Sequence, residues 1–218
     1  NVDNKKIHYI PNWGDIENIK YLEKKPTLFL NENFLDINKF RIIYTGTLAL
    51  KHNPEIIIDI AKNNINIDIL VIGAGSGFEK LKNINNLPSN IKLLPLQPFN
   101  KMSDILNSGD VLLGILSEDA SKFSVPSKIL NYLCAGKPII LSAPKDNLAV
   151  TIINDSESGK TFEPYDLNGI NNFLKILINN SEIKKEYSLN ARNYANKNFK
   201  IEDVSINFEN VINNLNIP

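Results

Sequence analysis

Ile67-Asp-Ile-Leu-Val-Ile-Gly-Ala-Gly-Ser-Gly-Phe78 is the stretch whose reading decides the fold. Ile67 to Ile72 is a short β-branched run and reads as a strand. It runs into a glycine turn, Gly73-Ala-Gly-Ser-Gly77, and Phe78 to Lys82 then reads as a short helix. A strand passing through glycine directly into helix is half of a βαβ unit. The same pattern repeats in both directions. Upstream, Arg41-Ile-Ile-Tyr-Thr45 is a strand, and Asn53-Pro54 caps and starts a helix over Glu55 to Asn63. Downstream, strands are predicted at Ile91 to Leu94, Val111 to Ile115, Pro138 to Ser142 and Lys160 to Phe162. Between them lie helical stretches at Lys101 to Asn107, Ser127 to Ala135 (stopped by Gly136) and Asp146 to Asn154. Three helices close the chain: Leu167 to Ile178, Ser181 to Ala195 and Ile201 to Leu215. The prediction is α/β, a Rossmann-like parallel sheet flanked by helices.

Residues 41–218 are read as one domain and residues 1–40 as a linker segment. The linker carries one strand, Lys6 to Ile10, followed by Pro11-Asn-Trp-Gly-Asp15 and a polar stretch. Its abrupt beginning is that of a piece of something longer. Trp13 is read as a packing residue rather than a ligand platform.

Lys plus Arg and Asp plus Glu number 24 each in the 218 residues, so the formal net charge is zero. That argues against a nucleic-acid binder, whose affinity needs a basic surface, but leaves room for a small cationic pocket. No apolar run approaches the roughly 20 residues of a membrane helix, and Asn1 to Lys6 are not a signal peptide. The single Cys134 has no partner and sits among Ile129, Leu130 and Leu133, as a buried thiol in a reducing cytosol would. The expected location is cytoplasmic.

Three segments resemble phosphate-binding loops. Gly73 to Gly77 has the place of a dinucleotide fingerprint, but Phe78 stands where the third glycine belongs and no acid ends the next strand. Gly73 and Gly75 are then a tight turn that lets backbone approach a neighbour or a ligand. Gly159-Lys-Thr161 imitates the end of a Walker loop, yet Glu163-Pro164 follows in place of a helix. The third is Phe123-Ser-Val-Pro-Ser-Lys-Ile-Leu-Asn131. Ser124 can cap, Pro126 suits a first helical turn, and the free N–H groups of Ser127 and Lys128 would face outward at the positive end of the helix. Asn131 lies one turn deeper on the same face. Those residues leave two readings, a prepared anion site or an ordinary capped helix with a solvated lysine. A second cluster, Tyr44-Thr-Gly-Thr-Leu-Ala-Leu-Lys-His52, ends the first strand. It places Gly46, Thr47, Lys51 and His52 beyond the carboxyl ends of the strands, where open α/β sheets bind ligands.

Taken in order, Ile10-Pro-Asn12, the Tyr44 to Pro54 segment, Val71-Ile-Gly-Ala-Gly75, Gly109-Asp-Val111, Ser124-Val-Pro-Ser-Lys128 and Leu133-Cys-Ala-Gly-Lys-Pro138 resemble the retaining GT-B glycosyltransferases of family 4 (glycosyl transferases group 1). The likeness is to their C-terminal donor domain, in the bacterial branch that builds surface polysaccharides. It implies a nucleoside-diphosphate sugar donor, UDP by family frequency, and a glycan or lipid-linked acceptor held by an N-terminal domain absent from this sequence. It implies no metal and no other cofactor, no nucleic-acid partner, peripheral membrane association of the full enzyme, and a fragment inactive alone. The backbone of Val125 to Lys128 would hold the diphosphate, with Phe123 and Ser124 beside it. Lys51, His52 and Lys128 would neutralise the leaving phosphate, Gly73 and Gly75 would line the cleft, and Gln97 would meet the base. Phe123 and Asn131 stand where the family has a pair of glutamates; Glu118 and Asp119 are the candidates to replace the first, and Asn131 would touch the ribose. The rival readings are a nucleotide-sugar epimerase of the same architecture and a non-catalytic binding module.

Overall fold

The structure is a computed structural model and describes residues 7–8, 10–118 and 127–214. Its centre is a six-stranded, wholly parallel sheet: β1 (Arg41–Thr47), β2 (Asp68–Ala74), β3 (Ile91–Pro95), β4 (Val111–Ile115), β5 (Ile139–Ser142) and β6 (Gly159–Phe162). The order across the sheet is β3-β2-β1-β4-β5-β6, so the chain winds outward from β1 in one direction and from β4 in the other. The helices are α1 (Thr27–Glu32), α2 (Glu55–Asn63), α3 (Ser76–Lys82), α4 (Met102–Asn107), α5 (Ser127–Ala135), α6 (Leu148–Asp155), α7 (Leu167–Asn179), α8 (Ser181–Asn198) and α9 (Ile201–Asn213).

Alternation along each strand sorts the core into two layers. Ile43, Leu70, Ile72, Leu112 and Leu141 point to one face and meet Ile105, Leu106, Ile129, Leu133 and Ala191 from α4, α5 and α8. Ile42, Tyr44, Ile69, Val71, Leu113 and Ile140 point to the other and meet α2, α3 and α7 through Ile57, Ile60, Phe78, Phe173 and Leu174. Burial on both faces is why these strands read as unbroken apolar runs.

Ile7, His8 and Ile10 carry no strand; Lys6 and Tyr9 lie outside the described residues. Ile19 and Phe29 are buried in the first of the two layers, and Leu30 is buried as well. Trp13 is 42% exposed. Its neighbour makes the close contact instead: a Cβ on Gly14 would lie 2.7 Å from both Cys134 Sγ and the Leu130 carbonyl, so only glycine lets this segment lie against α5.

At the amino end of β1, Arg41 is fully buried. Its Nη2 bonds Asp68 at 2.9 Å and the Asp36 carbonyl at 2.8 Å, and Nη1 bonds the Ser108 carbonyl at 3.1 Å. Among the described residues, no helix is long and apolar enough to cross a membrane.

Candidate functional site

At the carboxyl end of the sheet β1 and β4 part company. Only Ile42–Val111 and Ile43–Leu112 pair between them, whereas β1 and β2 stay in register over seven residues. The parting is held by Tyr132, a fully buried residue of α5. Its hydroxyl accepts from the Thr45 backbone N–H at 3.0 Å, lies 3.2 Å from Thr45 Oγ1, and donates to the Leu113 carbonyl at 3.2 Å. One phenol thus satisfies a donor on β1 and an acceptor on β4 that a closed ladder would have joined directly. Burial pushes its pKa up to about 12, so it remains a hydroxyl.

Beyond this parting opens a cleft of about 470 Å³, at the point where the strand order reverses and open α/β sheets bind ligands. Thr45, Gly46 and Thr47 supply one wall, and Ser127, Lys128 and Asn131 of α5 the opposite one. Ile72, Leu96, Met102 and Ile105, with Gln97 beside them, make an apolar third side. Gly46 has φ +101°, a conformation glycine tolerates, and the Lys128 chain runs beside it: a Cβ there would lie 3.6 Å from Lys128 Cε.

Lys128 is the cationic centre of the cleft. Its Nζ donates to Tyr44 Oη at 2.8 Å, and that phenol donates to the Thr47 carbonyl at 2.8 Å. The ammonium lies 4.0 Å from the centre of the Tyr44 ring. Among the described residues it has no carboxylate in ion-pair range. Burial lowers its pKa to about 8 and raises that of Tyr44. At neutral pH the chain therefore holds a positive charge in this cleft, whose partners among the described residues are a neutral oxygen and an aromatic ring.

The structure brings together Gly46, Thr47, His52, Gln97, Ser127, Lys128 and Asn131 of the sequence-predicted residues. It does not bring Lys51 or Glu118 to this cleft; both face a separate crevice that His52 also borders. The reason is local. Leu50–His52 form a single 3₁₀ turn, in which neighbouring side chains point about 120° apart. Gly73 and Gly75 do not line the cleft either, and serve close backbone approach: a Cβ at Gly73 would lie 2.4 Å from the Gly46 carbonyl, and one at Gly75 2.8 Å from that of Leu48. Asn131 Oδ1 faces the Asp15 N–H at 3.5 Å, leaving the amide nitrogen as the atom for the cleft. Asp119, Phe123, Ser124, Val125 and Pro126 lie outside the described residues. Reading the sequence missed Tyr44 and Tyr132. The available signal was a phenol inside a fully apolar run, whose hydroxyl must find a partner once buried.

Residues 28–194 match the family described as glycosyl transferases group 1. WcaI of Escherichia coli K12, a putative colanic acid biosynthesis glycosyl transferase, is 26% identical over 143 residues, 63% of this chain and 35% of its own length. The uncharacterized glycosyltransferase MJ1069 of Methanocaldococcus jannaschii is 26% identical over 225 residues, 97% of this chain and 55% of its own. The chain thus spans between about a third and a half of the length of these relatives. Among solved structures, Anabaena Alr3699/HepE in complex with UDP aligns at a TM-score of 0.80 and 17% identity, over 94% of this chain and 57% of that one. At that identity the likeness is one of fold.

Proposed function

Since the chain belongs to the glycosyl transferases group 1, we propose that it is the donor-binding domain of a retaining glycosyltransferase that uses a uridine-diphosphate sugar in surface-polysaccharide synthesis. The observation that carries the reading is Lys128, a half-buried cation at the start of α5 with no acid in ion-pair range among the described residues. A diphosphate would give it the counter-charge that the described residues do not supply. Ser127 and the free N–H groups of the first turn of α5 would share that charge. Loss of the nucleoside diphosphate is the chemical difficulty of glycosyl transfer. A fixed cation and a helix terminus placed where negative charge develops would ease it, with no divalent ion required. The apolar side around Ile72, Met102 and Ile105 would take the base, with Gln97 as its polar contact. Asn131 would offer its amide N–H to a ribose hydroxyl oxygen.

Two of the solved neighbours support the choice of donor, HepE with UDP and the same protein with UDP-glucose. The acceptor is proposed to bind outside these 218 residues, so the chain alone would bind donor and transfer nothing.

UDP binding measured by calorimetry tests this reading. A charge-assisted contact is worth roughly 1.5–3 kcal/mol, so Lys128→Met should weaken UDP about ten- to a hundredfold with the fold retained. Unchanged UDP affinity in that variant would remove Lys128 from the site and the reading with it. In a protein that includes the acceptor-binding part, a new glycosidic bond is the expected product. An altered free sugar nucleotide would make it an epimerase instead.

A further inference from the structure

A second cavity, of about 320 Å³, lies at the opposite end of the sheet. Gly109 and Asp110 line it and lead into β4, while Lys137 lines it and leads into β5, so it opens at the amino ends of the strands. Four lysines face it, Lys25, Lys137, Lys184 and Lys185, against two carboxylates, Glu23 and Asp110. Asp110 is already saturated. It meets Lys25 at 2.6 Å and Lys184 at 3.0 Å, and accepts from the Arg41 N–H at 2.9 Å. Burial works to raise its pKa, but the two ammonium groups outweigh it and hold the carboxyl below its ordinary value. The cavity is left with an excess of positive charge.

Lys137 decides what that excess is for. It is 8% exposed, and its Nζ donates to the Leu22 carbonyl at 2.9 Å. Among the described residues no carboxylate comes within ion-pair range of it. Burial lowers its pKa to about 8, with Asp110 working in the opposite direction, so it is still a cation at neutral pH. A buried cation served among the described residues by a neutral carbonyl and the Tyr21 ring, 5.6 Å away, is still costly unless an anion joins it. Ser181, the first residue of the 18-residue α8, lines the same cavity. The Asn180 side chain takes the Ile183 N–H, while Ser181 and Glu182 have no carbonyl one turn behind them within the helix. The positive end of the 18-residue α8 therefore borders a cavity that already holds two lysines with no carboxylate partner among the described residues.

We propose that this cavity is an anion site that takes a phosphate group, separate from the cleft at the carboxyl ends of the strands. Lysine ammoniums and a helix terminus act as point charges on a tetrahedral anion; no arginine fork, which would favour a planar carboxylate, lines the cavity. A phosphate here would bridge Lys137, α8 and the segment that carries Lys25, and would stabilise the fold by binding only the native state.

The test uses inorganic phosphate on the chain carrying Lys128→Met, which disables the nucleotide cleft as a phosphate site. Phosphate should raise the melting temperature above that in sodium chloride of matched ionic strength, and adding Lys137→Met should abolish the rise. Should the double variant fail to fold, Lys185→Glu at an exposed position serves in its place. It should weaken phosphate binding at least tenfold, while UDP binding in the chain that keeps Lys128 stays unchanged. Co-sedimentation with phosphatidic acid vesicles, but not phosphatidylcholine vesicles, and competed by phosphate, would assign the group to a lipid headgroup. Binding of free phosphate without sedimentation would assign it to a soluble ligand. The proposal is overturned if Lys128→Met alone removes the phosphate effect, if phosphate does no more than chloride, or if Lys185→Glu leaves phosphate binding as it was.

Discussion

Lys128 sits between two protonation states that matter for different reasons, and the pH dependence that follows separates its structural cost from its use. Burial lowers its pKa from 10.5 to about 8, so between those values the unfolded chain binds this proton more tightly than the folded one. The burial cost is therefore fully present below about pH 8 and is relieved as pH rises toward 10.5. The stability difference between the native chain and Lys128→Met should be flat below pH 8, then move in favour of the native chain as pH rises. Urea titrations at several pH values measure it. Nucleotide binding should show the opposite slope, because a diphosphate prefers the ammonium. UDP affinity should hold steady just below pH 8 and fall above it, by at most about tenfold per pH unit, with that fall missing in Lys128→Met. A parallel fall in both proteins would mean the lysine does not meet the ligand. The spacing of Ser127, Lys128 and Asn131 is legible in the sequence because one helical turn sets it. That the ammonium leans on Tyr44 is not, since the contact joins residues 84 apart.

At the scale of elements the informative piece is α5, which borders the cleft with its first turn and spaces the strands with Tyr132. Tyr132→Phe keeps the ring and removes the hydroxyl. It strands the Thr45 N–H unless β1 and β4 close on one another, at an expected cost of about 1–3 kcal/mol. Closure or disorder there would also shift Gly46 and Thr47, so UDP affinity should fall although Tyr132 does not line the cleft. Denaturant unfolding and calorimetry check the two halves, and a stability loss without an affinity loss would confine the phenol to packing. The strands and long helices were legible because runs such as Val111 to Ile115 admit one reading. The short elements were not. α1 is six residues without a capping side chain, formed because Phe29 and Leu30 find the core. Asn53, expected as a cap, instead takes the left-handed region at φ 49° and hands the helix start to Pro54.

For the whole molecule, the outward winding from β1 and β4 places the cleft at one end of the sheet and leaves the other end to polar clamps. Arg41 is the deepest of these, tying β1 to Asp68 of β2, to the Asp36 carbonyl and to the turn at Ser108. Removing one partner of a buried pair typically costs about 3–5 kcal/mol. Asp68 keeps some access to water and a second cation, Lys39, at 3.3 Å, so Arg41→Met should fall near the lower end of that range. Urea unfolding of the variant measures it; a loss below about 1 kcal/mol would place Arg41 among surface pairs. The sequence showed the cleft end through its glycines and hydroxyls. It hid the clamp end, where Arg41 reads as the flank of a strand and its partners lie 5, 27 and 67 residues away.

Cys134 has a practical meaning beyond its burial. It is the chain's one thiol, wholly inside, held protonated with its pKa pushed up to about 12 by burial. A thiol reagent can reach it only when the elements packed over it, the Gly14 segment among them, come away from α5, so the rate of labelling becomes a clock for that opening. The helix being uncovered is the one whose first turn is proposed to hold the diphosphate. Saturating UDP should slow the clock in the native chain and leave it nearly unchanged in Lys128→Met, as mass spectrometry of the labelled protein would record. A molecule with several cysteines would blur that signal. This one carries its own single-site gauge of whether the donor site is assembled.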